Sequence, residues 1–170
     1  MTATMAPPQE LRLASYFRRT LEQEDMIEDA RQHLAGVEFD TFVATGLSGT
    51  CAATVLAYAL GKNYLILRKE DDTSTHDGRR AFGVLGERFI FLDDFVSSGE
   101  TRRRVLRQLT QVIEQERGYD WDYLTGSRTP KPLHETTFVG EYHYSAHMSG
   151  YGEFFPAGTT EATWPIRKGY

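Results

Sequence analysis

The segment from residue 89 to residue 101, FIFLDDFVSSGET, carries residue types that could bind a sugar phosphate. Its small hydroxyl residues and glycine precede a helical pattern, so backbone N–H groups and the positive end of a helix dipole would converge on a phosphate. Asp93 and Asp94 can accept hydrogen bonds from the vicinal hydroxyls of a ribose. The predicted phosphate-binding residues are Ser97, Ser98, Gly99, Glu100 and Thr101. In the simpler alternative, a serine only caps the helix and the two acids only solvate a loop.

A second turn, Thr45-Gly46-Leu47-Ser48-Gly49, follows an earlier apolar run. Its glycines would let backbone N–H groups approach a pyrophosphate closely. Two alternatives stay open: plain backbone geometry, or a degenerate dinucleotide loop with Glu70 as the ribose-binding acid, although GxGxxG is absent.

A polar segment from Glu70 to Gly86 contains DDTSTHDGRR and is too charged to belong to a core. Loops of this length are usually functional or disordered. We expect the segment to be mobile without ligand and to close over substrate, presenting His76, Arg79 or Arg80 to a leaving pyrophosphate.

Four apolar runs predict strands, and two patterns predict the helices that connect them. The strands are expected at 39–45, 64–67, 89–92 and 136–144, and the helices at 50–61 and 97–118, with Gly61 and Gly118 at their ends. Short continuous apolar strands of this kind are typical of parallel sheets covered on both faces. At the carboxyl ends of such strands, open α/β sheets bind their ligands.

The predicted fold is therefore α/β, a mostly parallel twisted sheet flanked by helices. All 170 residues are assigned to a single domain. It divides into a flexible tail at 1–8, an N-terminal helical part at 9–36, a core at 37–118, and a last strand with a small hood at 119–170.

Composition narrows the classes of partner and location. Nineteen Lys and Arg against 24 Asp and Glu give a net charge of -5, which offers no general attraction for nucleic acid. One cysteine excludes an internal disulfide, and no CxxC pair indicates zinc. We expect a cytoplasmic protein without a membrane partner, because no leader pattern or apolar run of about 18 residues is present.

The pattern at 89–101 resembles the phosphoribosyl pyrophosphate signature of type I phosphoribosyltransferases, in which apolar strand residues lead to paired acids and a phosphate loop. ATGLSGT, the Glu70 to Gly86 segment and the signature also follow the order of that family, so the resemblance covers about residues 39 to 117. LRKEDDTSTHDG is similar to the mobile-loop entry of orotate phosphoribosyltransferases, where it matches at Arg68, Lys69, Glu70 and His76.

The resemblance implies Mg²⁺-dependent transfer of a 5-phosphoribosyl group from phosphoribosyl pyrophosphate to a ring nitrogen of a nucleobase-like acceptor. It implies catalytic roles for His76, Arg79, Asp93 and Asp94. Pyrophosphate would be bound by Thr45, Gly46, Leu47, Ser48, Gly49, Arg68 and Lys69, and no side chains are assigned to a dedicated metal site. We expect a homodimer. The alternative is a non-catalytic regulator of the same fold that binds phosphoribosyl pyrophosphate or a nucleotide, and the acceptor stays open.

Other residues with possible chemistry are interpreted as structural. Cys51 is read as a small packing residue rather than a nucleophile. His143 and His147 with Glu141 suggest a metal site, but a separation of four residues on a strand places the two histidines too far apart. Arg102, Arg103 and Arg104 could assist anion binding, but three consecutive residues of a helix point in different directions, so most of their charge is expected to be solvated. Aromatic residues after 140 could stack on an acceptor, pack in the core or form a dimer contact.

Overall fold

The computed structural model describes residues 23–69, 79–94, 99–144 and 152–159. Its helices are α1 (Gln23–His33), α2 (Gly46–Leu60) and α3 (Glu100–Gln115). Its strands are β1 (Thr41–Thr45), β2 (Asn63–Leu67), β3 (Ala81–Gly83), β4 (Arg88–Asp93), β5 (Tyr119–Asp122), β6 (Ser127–Pro130), β7 (Thr137–His143) and β8 (Glu153–Pro156).

Six strands form one sheet in the order β3-β2-β1-β4-β7-β8, and β5 pairs with β6 in a separate two-stranded sheet. The four central strands run parallel, whereas the edge strands β3 and β8 are antiparallel to their neighbours. The predicted α/β fold with a mostly parallel sheet is confirmed. Because the central strands are parallel, they all end at one side of the sheet, called here the carboxyl edge: Thr45, Leu67, Asp93 and His143.

Both faces of the sheet are covered, which explains the continuous apolar runs in the sequence. On one face α1 and α2 pack on a cluster that includes Phe42, Ala44, Ile66, Ile90 and Leu92. On the other face α3 contributes Val105, Leu109 and Val112 to a cluster with Val43, Leu65, Leu67, Phe89 and Phe91. The residues predicted to form the apolar face of α3 are therefore the residues that α3 buries against the sheet.

Strand β7 contains a bulge that decides which of its side chains face α3. Its pairing with β4 shifts by one residue between Phe89 and Ile90, so that Phe138 lies opposite Phe89 but Gly140 lies opposite Ile90. A bulge of this kind moves the following side chains to the opposite faces of the sheet. As a result, Glu141 and His143 lie on the α3 face, and Tyr142 and Tyr144 pack with α2.

Helix α2 begins earlier than the sequence pattern indicates. It starts at Gly46 instead of Thr50, directly after β1, so the predicted tight loop is the first turn of the helix. Gly46 has a φ of 72°, a conformation that glycine adopts without strain, which lets the chain pass from strand to helix at one residue. The predicted end is confirmed, with Gly61 in the left-handed conformation.

Four strands were not predicted. β3 lies inside the segment expected to be a loop and pairs with β2, where Gly83 fits because a Cβ would lie 2.1 Å from the Tyr64 carbonyl oxygen. β5 and β6 form a short hairpin whose described side chains are exposed, so it has no apolar period. β8 adds four residues to the sheet beside β7.

Several predictions fall outside the described residues. These are the tail at 1–8, the helical part up to residue 22, and much of the hood. Within the described ranges, none of the helices combines the length and the apolar character that crossing a membrane requires.

Candidate functional site

The candidate site lies at the carboxyl edge, where β1, β4 and β7 end next to the first turns of α2 and α3. Thr45, Asp93 and His143 are the last residues of these three strands. The backbone N–H of Tyr144 donates to the Asp93 carbonyl at 3.1 Å, so the ends of β4 and β7 stay paired up to the site. Two sequence motifs that are about 45 residues apart therefore meet at one edge of the sheet.

Asp93 and Asp94 are adjacent acids at the end of β4. The backbone N–H of Asp94 donates to Asp93 Oδ1 at 3.0 Å. Burial raises the pKa of Asp93 to about 7, and the nearby carboxylates of Asp94 and Glu141 act in the same direction. At neutral pH the site thus holds a carboxyl group that is poised between its neutral and charged forms, a property common at functional sites.

A buried ion pair joins α3 to β7 beside these acids. Arg102 Nη1 lies 2.8 Å from Glu141 Oε1, and the two side chains are 15% and 1% exposed. The other carboxylate oxygen, Glu141 Oε2, lies 3.1 Å from His143 Nε2. The His143 ring packs against Phe155 of β8 with ring centroids 4.9 Å apart. Arg102 is therefore not part of the solvated charge expected for its neighbours.

Tyr144 connects the acids to the first turn of α2. Its side chain is fully buried. Burial raises the pKa of the Tyr144 hydroxyl, the Ser48 hydroxyl opposes that change, and the carboxylates of Asp94 and Asp93 add to it. Ser48, a predicted pyrophosphate-binding residue, is thus close to a tyrosine that the sequence analysis did not assign to the site.

The predicted 5-phosphate residues are described from Gly99 onward, and Ser97 and Ser98 lie outside the described residues. Gly99 is buried and precedes α3 with a φ of 69°, so the chain enters the helix through a turn that favours glycine. Thr101 is half-buried in the first helical turn. Glu100 instead faces solvent, with its carboxylate 3.3 Å from Arg103 Nη2 and 3.8 Å from Arg107 Nη2.

On the other side of the site, Lys69 reaches the first residue of α2. A Cβ added to Gly46 would lie 3.3 Å from Lys69 Cε and 3.9 Å from Lys69 Nζ. An ammonium group at a helix N-terminus suits an anion, since the helix dipole and the charge act together. The structure therefore brings together two of the residues predicted to bind pyrophosphate.

The remaining members of the predicted pyrophosphate set have mixed environments. The Thr45 hydroxyl donates to the Leu67 carbonyl at 2.9 Å. Gly49 is buried, and a Cβ there would lie 3.3 Å from Ala44 Cβ, so this glycine permits close packing of α2 on β1. Leu47 is 69% exposed. Only part of this turn thus offers groups to a ligand.

Arg68 and Arg79 lie at the β3 side of the sheet. The Arg68 guanidinium stacks on Phe82, 4.9 Å from the ring centroid, and its carbonyl accepts a hydrogen bond from the buried Gln108 of α3. Arg79 lines a groove of about 470 Å³ with residues of β3 and the C-terminal end of α3. Arg79 is therefore not brought beside Asp93 and Asp94, and His76 lies outside the described residues.

Sequence reasoning missed Arg102, Glu141 and Tyr144 as members of the site. An acid in an otherwise apolar and aromatic strand, Glu141, was the available signal, and it was considered only as a metal ligand. Among the described residues, no three His, Cys, Asp or Glu side chains are arranged to hold a metal ion. The carboxylate oxygens of Asp93 and Asp94 are nonetheless donors of the kind that Mg²⁺ prefers, and Mg²⁺ commonly binds through one or two carboxylates plus substrate phosphates.

Curated relatives of this chain are named as regulators. Transcriptional regulator GfcR 2 of Methanosarcina barkeri is 30% identical over 82 residues, covering 45% of this chain and 41% of the regulator. Transcriptional regulator GfcR of Methanocaldococcus jannaschii is 32% identical over 84 residues, covering 45% and 39%. The match thus spans about two fifths of the length of these relatives. No protein-family model matches the chain.

Solved structures share the fold at low sequence identity. The orotate phosphoribosyltransferase of Mycobacterium tuberculosis, solved with 5-phospho-α-D-ribosyl 1-diphosphate, superposes with a TM-score of 0.50 and 15% identity over 75% of this chain and 63% of the enzyme. The UMP synthase of Leishmania donovani gives a TM-score of 0.50 and 14% identity over 74% of this chain and 23% of that protein. The chain therefore has an α/β fold like that of the type I phosphoribosyltransferases.

Proposed function

We propose that this protein binds phosphoribosyl pyrophosphate at the carboxyl edge and, with Mg²⁺, transfers its 5-phosphoribosyl group to a ring nitrogen of a nucleobase-like acceptor. One observation carries the proposal. Asp93 is the last residue of β4, Asp94 follows it, and α3 begins at Glu100 further along the same segment. On the neighbouring strands, Gly46 opens α2 directly after β1, and Lys69, two residues after β2, lies next to it. A sugar phosphate with a second anionic group matches this arrangement of hydroxyl acceptors between two helix N-termini.

In this proposal the acids accept hydrogen bonds from the ribose hydroxyls, and the turn before α3 donates backbone N–H groups to the 5-phosphate. The first turn of α2 and Lys69 receive the pyrophosphate. Mg²⁺, when bound with the substrate, would neutralise charge on the leaving pyrophosphate, and the carboxylate oxygens of Asp93 and Asp94 would hold it on the protein side.

The reaction breaks the bond between the ribose anomeric carbon and the pyrophosphate oxygen, which leaves with the electron pair. The acceptor nitrogen forms the new bond to the same carbon and then releases its proton. An oxocarbenium-like transition state needs positioning and electrostatic stabilisation more than covalent help from side chains.

A second candidate is a regulator that binds the same ligand without turnover. The names of the curated relatives, transcriptional regulators of Methanosarcina barkeri and Methanocaldococcus jannaschii, favour it. Pyrophosphate release separates the two candidates. Purified protein with Mg²⁺ and phosphoribosyl pyrophosphate would be tested with orotate, uracil, adenine, hypoxanthine, guanine, xanthine and nicotinate-type acids. Release with one acceptor supports the transferase, whereas tight binding without release across the panel supports the regulator.

Gly99→Val tests the shared binding step. The branched side chain would stand where the phosphate approaches the backbone, so calorimetry should show no binding of ribose 5-phosphate or of phosphoribosyl pyrophosphate. Gly126→Val is the matched control, because Gly126 has a similar φ of 65° but lies in the β5-β6 hairpin. Normal affinity in a folded Gly99→Val variant would exclude this turn as the phosphate site.

A further inference from the structure

The ion pair between Arg102 and Glu141 occupies an unusual place in the molecule. Arg102 is the third residue of α3, and the turn it belongs to follows the predicted phosphate loop directly. Its partner Glu141 is 1% exposed and belongs to β7, on the other side of the helix–sheet contact. The pair therefore ties the start of α3 to the sheet beside Asp93.

A cation in the first turn of a helix opposes the helix dipole, which favours acids at that end. The neighbouring arginines avoid this conflict by pointing outward. Arg103 is 51% exposed and pairs with Glu100 on the solvent side, and Arg104 is exposed. Arg102 alone of these three turns inward, where Glu141 compensates its charge. The local sequence thus places positive charge at the positive end of α3, and a residue 39 positions later in the chain balances it.

Buried ion pairs are a poor way to gain stability. Removing both charges from water costs about as much as their attraction returns, and apolar replacements of similar volume are often as stable. A role in holding the chain in one arrangement explains a buried ion pair better than a gain in stability does. Here Glu141 uses both oxygens, one toward Arg102 and one toward His143, so the position of its carboxylate is set from two directions.

We propose that Glu141 and Arg102 are positioning residues that fix the first turn of α3 on β7, so that the backbone N–H groups of the turn after Gly99 are oriented for the 5-phosphate. This inference rests on the proposed function, because it concerns the same phosphate site. The middle of α3 is held separately, through Val105, Leu109 and the hydrogen bond from Gln108 to the Arg68 carbonyl. Losing the ion pair should therefore disturb the first turn more than the rest of the helix.

The test compares two ligands that report on opposite sides of the site. Glu141→Gln keeps the shape of the side chain but leaves the Arg102 charge uncompensated, so the affinity for ribose 5-phosphate should fall about tenfold, whereas that for inorganic pyrophosphate should change less than twofold. The double variant Glu141→Leu with Arg102→Met should recover thermal stability without recovering ribose 5-phosphate affinity. Arg104→Met, an exposed arginine two residues further on, is the control and should bind both ligands normally.

The outcomes separate this inference from the function on which it rests. If the unmodified protein does not bind ribose 5-phosphate, both ideas are overturned. If it binds, and the double variant is stable and binds equally well, the ion pair is structural only and the positioning role is wrong. Should Glu141→Gln fail to fold, the double variant alone decides between these results. It replaces both members of the ion pair by apolar side chains and therefore leaves neither charge without its partner.

Discussion

An aspartate lies at each end of the central sheet, and the two aspartates have opposite surroundings. At the amino end, Asp40 is surrounded by donors: its carboxylate accepts hydrogen bonds from the Thr41 hydroxyl at 2.6 Å and from the Arg88 backbone N–H at 2.9 Å. At the carboxyl edge, Asp93 faces the acids Asp94 and Glu141, and its pKa is raised to about 7. The hydrogen bonds to Asp40 stabilise the fold. At Asp93, burial and the neighbouring acids disfavour the charged carboxylate, and a bound ligand that donates hydrogen bonds would stabilise it. Carboxyl groups with raised pKa values are common at functional sites, so this difference makes the carboxyl edge, rather than the amino end, the candidate site.

The largest effect on stability is expected at the amino end. Asp40→Ala removes the acceptor of two hydrogen bonds to a charged group, worth roughly 1.5 to 3 kcal/mol each, so the free energy of unfolding should fall by about 3 kcal/mol. Ligand affinity of the folded protein should stay the same. Glu87→Ala, an exposed acid at the same end, is the control for urea denaturation. Loss of binding in Asp40→Ala without loss of stability would contradict the division between the two ends.

The next effect concerns binding. Replacing Asp93 and Asp94 by Asn together should weaken phosphoribosyl pyrophosphate binding at least tenfold, about 1.4 kcal/mol or more, since the ribose hydroxyls lose charged acceptors. Calorimetry with Mg²⁺ present measures this. The double variant should not unfold more readily than the unmodified protein, because it removes crowded acids. Unchanged affinity would show that the ribose lies elsewhere.

The elements that position this site follow from the sequence because their signals are local. Four apolar runs gave the central strands, and the stripe Val105, Leu109 and Val112 gave the buried face of α3. The partners of Asp93 were not predictable in the same way. A strict alternation starting from Phe138 places Tyr142 and Tyr144 on the α3 face, and only the bulge before Gly140 turns Glu141 to that face.

Residues that act through long-range contacts were missed for a related reason. Arg102 looks like its two neighbours in the sequence, and only the position of β7 selects it for a buried ion pair. Gly46 and Gly49 look alike as loop glycines, yet the first opens the helix and the second permits packing on Ala44. Register and packing across the sheet decide these roles, and neither is encoded in a short window of residues.

The pH dependence of stability gives a third comparison, between the unmodified protein and Asp93→Asn. The folded-state pKa of Asp93, about 7, lies above its ordinary value of 3.8. Between these values the folded protein keeps a proton that the unfolded chain has lost, so the free energy of unfolding falls as the pH rises from about 4 to about 7 and then levels off. Asp93→Asn lacks this titration, and its stability relative to the unmodified protein should increase across the same window. Parallel denaturation curves from pH 4 to pH 8 would show that Asp93 is not buried in a neutral form.

The smallest effect is expected from Lys69, which is exposed beside Gly46. Lys69→Met should weaken inorganic pyrophosphate binding only about twofold to fivefold, because interactions of solvent-exposed charges are typically worth 0.2 to about 1 kcal/mol and are screened by salt. The difference should shrink as ionic strength rises. Lys62→Met is the matched control from the amino end, where Lys62 Nζ donates to the Phe39 carbonyl at 2.7 Å, and it should lower stability without changing pyrophosphate affinity. If both lysine variants bind pyrophosphate as the unmodified protein does at low salt, the first turn of α2 is not the pyrophosphate side of the site.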